Sequence, residues 1–283
     1  MRPSLVHLRN CSSYVHPVLF KGANYAAHPA SPTEVFSFGI THLLLQNEIP
    51  LSNTLEFLNA APPNVSTIFN PSPLPSPSDL LTFPWSKLSW LILNETEADA
   101  LLEAFDNPPT EAEVDNTSSI LTSALSFSTK PKSTLWPRLP PPALIKAPRG
   151  SEAGAPPDPG NPSLAMPALW PDPAPPTLRE AYATTLRLAR HSSFSPGTNV
   201  ICTLGALGVI AVIPTLMHPI YMPAARVSDD TGVCDTTGAG DCFTGYLVAG
   251  LMERYERGAP MGEAEMTELL RRCVQVCWFS ALH

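Results

Sequence analysis

The sequence predicts an α/β fold, a mainly parallel sheet covered by helices, and three observations lead there. Residues 41–46 (THLLLQ), 66–70 (STIFN) and 88–93 (LSWLIL) are short runs apolar at consecutive positions, as expected of strands buried on both faces. Helical segments alternate with them, at 52–60 between the first two runs and at 95–105 after the third. The same alternation resumes from 177 to 279.

Each element has a local reason. In 52–60, Ser52 or Asn53 can cap the first turn. Leu178, Ala181, Thr185, Leu188 and Ala189 share one helical face, so 177–191 reads as a helix. Residues 199–203 and 209–213 read as strands joined through a glycine-containing turn. Residues 240–256 and 262–279 read as helices, the first starting just past a glycine-rich turn. Ligands of parallel sheets collect at the carboxyl ends of strands. That rule singles out segments 46–48, 70–73 and 94–97.

The 34 prolines among 283 residues are more than twice average usage, which is about 5%. Fifteen of them fall between 131 and 176. No helical or strand period survives in that stretch. Residues 108–176 therefore read as a disordered or polyproline-like insertion, splitting one domain into 1–107 and 177–283.

A net charge of −8 argues against a nucleic-acid binder that neutralises phosphates with a broad basic face. The apolar run 200–213 is shorter than the roughly 18 residues of a membrane span, and Gly205 and Gly208 interrupt it. Six scattered cysteines argue against a disulfide framework, and Cys273 with Cys277 lacks the second pair of a zinc site. The expectation is a reduced, cytoplasmic protein, with a nuclear pool left open.

The strongest chemical signal is Asp235-Thr236-Thr237-Gly238-Ala239-Gly240-Asp241. Glycines at 238 and 240 leave amide groups unobstructed where a helix starts, and the helix dipole adds positive potential: an anion site. A carboxylate is repelled by bound phosphate, so Asp241 needs another task there. Accepting a proton from a hydroxyl that attacks phosphorus is one. Read from the residues alone, the segment is also compatible with a plain glycine turn carrying a helix-start acid. Glu97 is likewise a first-turn acid behind an Asn94 cap, Glu48 a loop acid, and Thr203 a strand threonine.

The motif DTTGAGDCFTG resembles the C-terminal signature of the ribokinase-like (PfkB-type) carbohydrate kinases. Four further segments match that family in order: LLLQNE at 43–48, TIFNPSP at 67–73, LNETEA at 93–98 and TLGALG at 203–208. The resemblance implies a three-layer ribokinase-like fold and ATP-dependent phosphorylation of a sugar, with O5 of D-ribose favoured. It implies that Asp241 is the general base and that Gly238, Ala239 and Gly240 form the anion hole. It gives Asp235 and Thr237 to a monovalent cation, normally K⁺, and Asn94 and Glu97 to Mg²⁺ and phosphates through water. Thr203, Leu204, Gly205, Ala206, Leu207 and Gly208 would line the ATP site, and Glu48 would contact the sugar. Another sugar or a nucleoside is the alternative substrate, and a non-catalytic nucleotide binder the alternative function.

Two departures from the family pattern set a further expectation. The resemblance starts downstream of the N-terminal portion that supplies a sugar-binding aspartate and the β-sheet lid. It stops before the family's final Thr-Arg-x-Gly-Ala segment. A chain lacking the lid is expected to be a poor kinase by itself, and the homodimer that such kinases form through the lid is in doubt.

Overall fold

The computed structural model describes residues 31–107, 167–225, 238–258 and 261–280. The insertion reading for 108–166, and with it Asp235 and Thr237, lies outside the described residues.

The elements run α1 (Pro32–Ser37), β1 (His42–Gln46), α2 (Leu51–Ala60), β2 (Ser66–Asn70), α3 (Pro77–Thr82), β3 (Trp90–Asn94) and α4 (Glu95–Asp106). After the insertion come α5 (Pro176–Ala189), β4 (Asn199–Thr203), β5 (Val209–Val212), β6 (Ile220–Met222), α6 (Ala239–Glu256) and α7 (Glu263–Ser280). The strands form one sheet in the order β1-β2-β3-β4-β5-β6. The first four are parallel, and β5 and β6 return antiparallel.

Alternation along the strands builds two cores. Leu43, Leu45, Phe69, Leu91, Leu93, Val200 and Cys202 face α2, α4 and α5. Ile68, Trp90, Ile92, Ile201, Val209 and Ala211 face the layer of α6 and α7. Leu91, Ile92 and Leu93 are all at most 1% exposed, which explains why β3 reads as a continuous apolar run. Each such side chain contributes about 1.5–3 kcal/mol by leaving water.

Two expectations need correction, and three elements go beyond them. The helix after β1 begins at Leu51 behind Pro50, with no side-chain cap from Ser52 or Asn53. Residues 167–176, assigned to the insertion, are part of the fold. Trp170 packs on Tyr182 (5.0 Å between ring centroids) and Tyr221 (5.4 Å), and Pro176 opens α5. Proline suits a first helical position because the amide it lacks would have no partner there. The short helices α1 and α3, capped by Ser31 and Ser76, and the strand β6 carry too few residues to show a period.

Candidate active site

The carboxyl ends of the four parallel strands share one design: an apolar run closed by one polar residue. These are Gln46, Asn70, Asn94 and Thr203. Gln46 is in register with Asn70, and Asn94 with Thr203, so the polar ends form a row across the sheet. Gln46, Asn70 and Thr203 alternate with Leu45, Phe69 and Cys202 and so belong to the face covered by α6 and α7.

Helix α6 brings its N-terminus to this row. Tyr255 near its end packs edge-on against His42 at the start of β1 (5.6 Å between ring centroids). Asp241 in its first turn meets Gln46 at the end of β1, accepting a hydrogen bond from Nε2 at 3.1 Å. The helix therefore runs antiparallel to β1 and delivers its positive end to the ligand edge.

Gly238 sets that end. It sits in the left-handed region (φ 79°) as the N-cap, where a side chain would be strained, and α6 has no side-chain cap. The first intrahelical bond is donated by the Cys242 amide to the Gly238 carbonyl (2.9 Å). The amides of Ala239, Gly240 and Asp241 precede that first bond, so the helix supplies them no acceptor. Among the described residues, a methyl group added at Gly238 or Gly240 would meet nothing within 4 Å.

The other helix start at this edge is finished by the protein itself. Asn94 caps α4, accepting from the Glu97 amide at 2.9 Å, while Glu97 Oε2 accepts from the Asn94 amide at 2.9 Å. Glu97 is only 8% exposed. Both residues implied to serve Mg²⁺ and phosphate thus have an oxygen committed to backbone donors, the capping role that the residues alone suggest. Neighbouring Glu95 has its carboxyl raised above the ordinary range by burial and by Asp99 and Glu180.

The 203–208 turn divides by role. Gly205 and Ala206 are exposed, whereas Leu204 is buried in the core. Gly208 has φ 103°, and a methyl group there would lie 2.1 Å from the Met222 carbonyl oxygen, so this glycine serves close packing against the chain after β6. Leu207 is half-buried, and its carbonyl accepts from the Tyr221 hydroxyl at 2.7 Å. Glu48 is exposed in the loop after β1; the side chain that reaches Asp241 is Gln46, two residues earlier.

Gln46 and Asn70 lie in segments the strand-end rule singles out, yet sequence reasoning gave neither a role. The signal for both is the recurrence of one polar residue at each strand end. Asn70 is 8% exposed and its Oδ1 has no hydrogen-bond partner among the described residues. Behind α6, Cys277 Sγ donates to the Ala239 carbonyl at 3.2 Å. Burial, then neighbouring Cys242, pushes the Cys277 thiol up to about 11. It stays neutral near pH 7, so no thiolate competes with an anion at the helix start.

Among the described residues no group of three His, Cys, Asp or Glu side chains can hold a metal ion, and no helix is long and apolar enough to cross a membrane. No family model and no curated protein matches the sequence. Among solved structures, the chain is similar to a ribokinase from Cryptococcus neoformans var. grubii serotype A in complex with ADP. The two share 32% identity over 86% of this chain and 54% of the other, with a TM-score of 0.54. The fold is that of the ribokinase-like (PfkB) carbohydrate kinases. A ribokinase from Giardia lamblia matches at 18% identity over 89% of this chain and 59% of its own, with a TM-score of 0.47. Adenosine kinase from Anopheles gambiae matches at 13% identity over 87% and 51%, also with a TM-score of 0.47. The ribokinase-like chain spans about half the length of the solved kinases it matches.

Proposed function

We propose that this chain is an ATP-dependent phosphotransferase acting on a hydroxyl of a sugar or nucleoside, with O5 of D-ribose the favoured acceptor. One observation carries the reading: an uncapped, glycine-hinged helix N-terminus with Asp241 in its first turn, at the strand ends where parallel sheets bind ligands. The fungal ribokinase solved with ADP supports the nucleotide.

In this reading Asp241 takes the proton of the acceptor hydroxyl. The oxygen forms a bond to the γ-phosphorus, the bond from phosphorus to the bridging oxygen breaks, and ADP leaves. The open amides at 239–241 stabilise negative charge on the transferred group, where fixed donors cost no reorganisation. In the same reading Gly205 and Ala206, both exposed, meet the nucleotide, and Glu48, exposed in the loop after β1, contacts the sugar.

Asn94 Oδ1 and Glu97 Oε2 each already accept a hydrogen bond from a backbone amide, which weakens them as direct magnesium ligands. Contact through water fits, since magnesium keeps much of its hydration. When bound with ATP, the ion neutralises charge on the phosphates. The K⁺ proposal rests on Asp235 and Thr237, outside the described residues.

The test is ADP release from ATP with ribose or adenosine as acceptor. Turnover is expected near or below the low end of the about 1–100 s⁻¹ typical of kinases, because Asp241 is exposed to water. Asp241→Asn should lower it about 10²–10⁴-fold with ATP binding retained. That same exposure favours a second reading, a nucleotide-binding protein without turnover. ATP binding with no release for any acceptor would establish that alternative.

A further inference from the structure

We infer that Gln46 is a positioning residue for Asp241: its side-chain amide holds one carboxylate oxygen and leaves the other for the acceptor hydroxyl. The inference rests on the phosphotransfer reading, because that proton transfer is the step Gln46 serves.

The geometry starts with Gln46 itself. It ends an edge strand, yet its backbone is fixed from several sides. It pairs in register with Asn70, and its carbonyl accepts from the fully buried Thr54 hydroxyl at 3.1 Å. The next residue, Asn47, donates its side-chain amide to the Pro73 carbonyl at 2.8 Å, tying the β1 and β2 ends together. The root of the Gln46 side chain is therefore held in place at the strand end.

Chemistry fixes which end of the amide faces Asp241. An ionised carboxylate only accepts hydrogen bonds, so the NH₂ group must point to it, as the 3.1 Å contact from Nε2 to Oδ1 has it. A bond to Oδ1 makes the two carboxylate oxygens inequivalent and favours one orientation of the carboxyl group. That leaves Oδ2 as the proton acceptor in one orientation. Glutamine suits the post because it donates without bringing charge. A carboxylate there would repel the base, and a lysine would neutralise it. The contact spans 195 positions in sequence and bridges the edge strand to the α6 layer.

Two substitutions separate positioning from a merely structural role. Gln46→Leu removes the donor at similar size, and Gln46→Glu keeps the shape but sets a carboxylate against Asp241. Gln46→Leu should lower kcat about tenfold and Gln46→Glu about 100-fold, with KM for ATP within about twofold of the unaltered chain. A structural role gives the opposite ranking, because Gln46→Glu preserves the packing. The inference is overturned if Gln46→Glu is as active as Gln46→Leu, or if both stay within about twofold of the unaltered chain.

A second measurement needs no turnover. Gln46→Glu should lower the thermal midpoint by about 2 °C alone. In an Asp241→Asn background it should not, since the amide introduced at 241 can donate to the carboxylate introduced at 46. Equal lowering in both backgrounds overturns the pairing. Absence of turnover in the unaltered chain overturns the phosphotransfer reading and the positioning role with it, while the midpoints still decide whether 46 and 241 are paired.

Discussion

Helices α4 and α6 both begin at the ligand edge of the sheet, and they begin in opposite ways. At α4, Asn94 and Glu97 close a reciprocal capping box, so the helix consumes its own positive end. At α6, a left-handed glycine takes the cap position and, among the described residues, no side chain caps the amides. The lesson is about cost. A capped helix gains about 1 kcal/mol, and a chain that forgoes this at one of two equivalent places has left donors for something else. The glycines divide the same way. Gly208 is packed against by the backbone of Met222, Pro223 and Ala224, whereas Gly238 and Gly240 meet nothing within 4 Å among the described residues.

The largest effect that could break this comparison is on stability, at the closed glycine. Gly208→Ala places a methyl group 2.1 Å from the Met222 carbonyl at φ 103°, so a loss of about 3 kcal/mol or more is expected in chemical denaturation. Next comes the closed helix start: Asn94→Ala should cost about 1 kcal/mol, read from the urea midpoint, by removing one arm of the capping box. Loss of ATP affinity without loss of stability there would contradict the structural role.

Gly240→Ala sharpens the contrast most. It sits inside the first turn with room for a methyl group, so helix propensity should raise stability by about 0.5–1 kcal/mol. The same methyl group stands where phosphate would approach, so kcat/KM for ATP should fall. A variant that gains both stability and activity would show that the space is not a ligand's. The smallest effect concerns Cys277. With its thiol pushed up to about 11, roughly one molecule in several thousand is thiolate at pH 7.5, and alkylation by iodoacetamide should be slow. Rapid labelling would mean that the packing behind the anion hole is loose.

Much of this was legible from the residues. Strands β2 and β4 occupy the segments their apolar runs mark, because a strand buried on both faces must be apolar throughout. Asn94 and Glu97 announce their cap by spacing alone. Less legible were β6, three residues long, and the ordered prolines at 167–176, where Trp170 meets Tyr182 in the helix that follows and Tyr221 in the distant strand β6. Among the implied site residues, Leu204 is buried in the core and Gly208 is packed against the chain after β6. Nothing in their types distinguishes such packing from nucleotide contact.

The sequence by itself determined the helix-covered, mainly parallel sheet and the helix start at Gly238–Asp241, since apolar period and glycine freedom act within a few residues. Only the tertiary structure decided which side chain meets Asp241. Gln46 is an unremarkable strand-end amide until parallel pairing sets its register and α6 packs antiparallel over β1. Hydrogen-bond partners nearly 200 residues apart follow from packing direction, and no local preference encodes them.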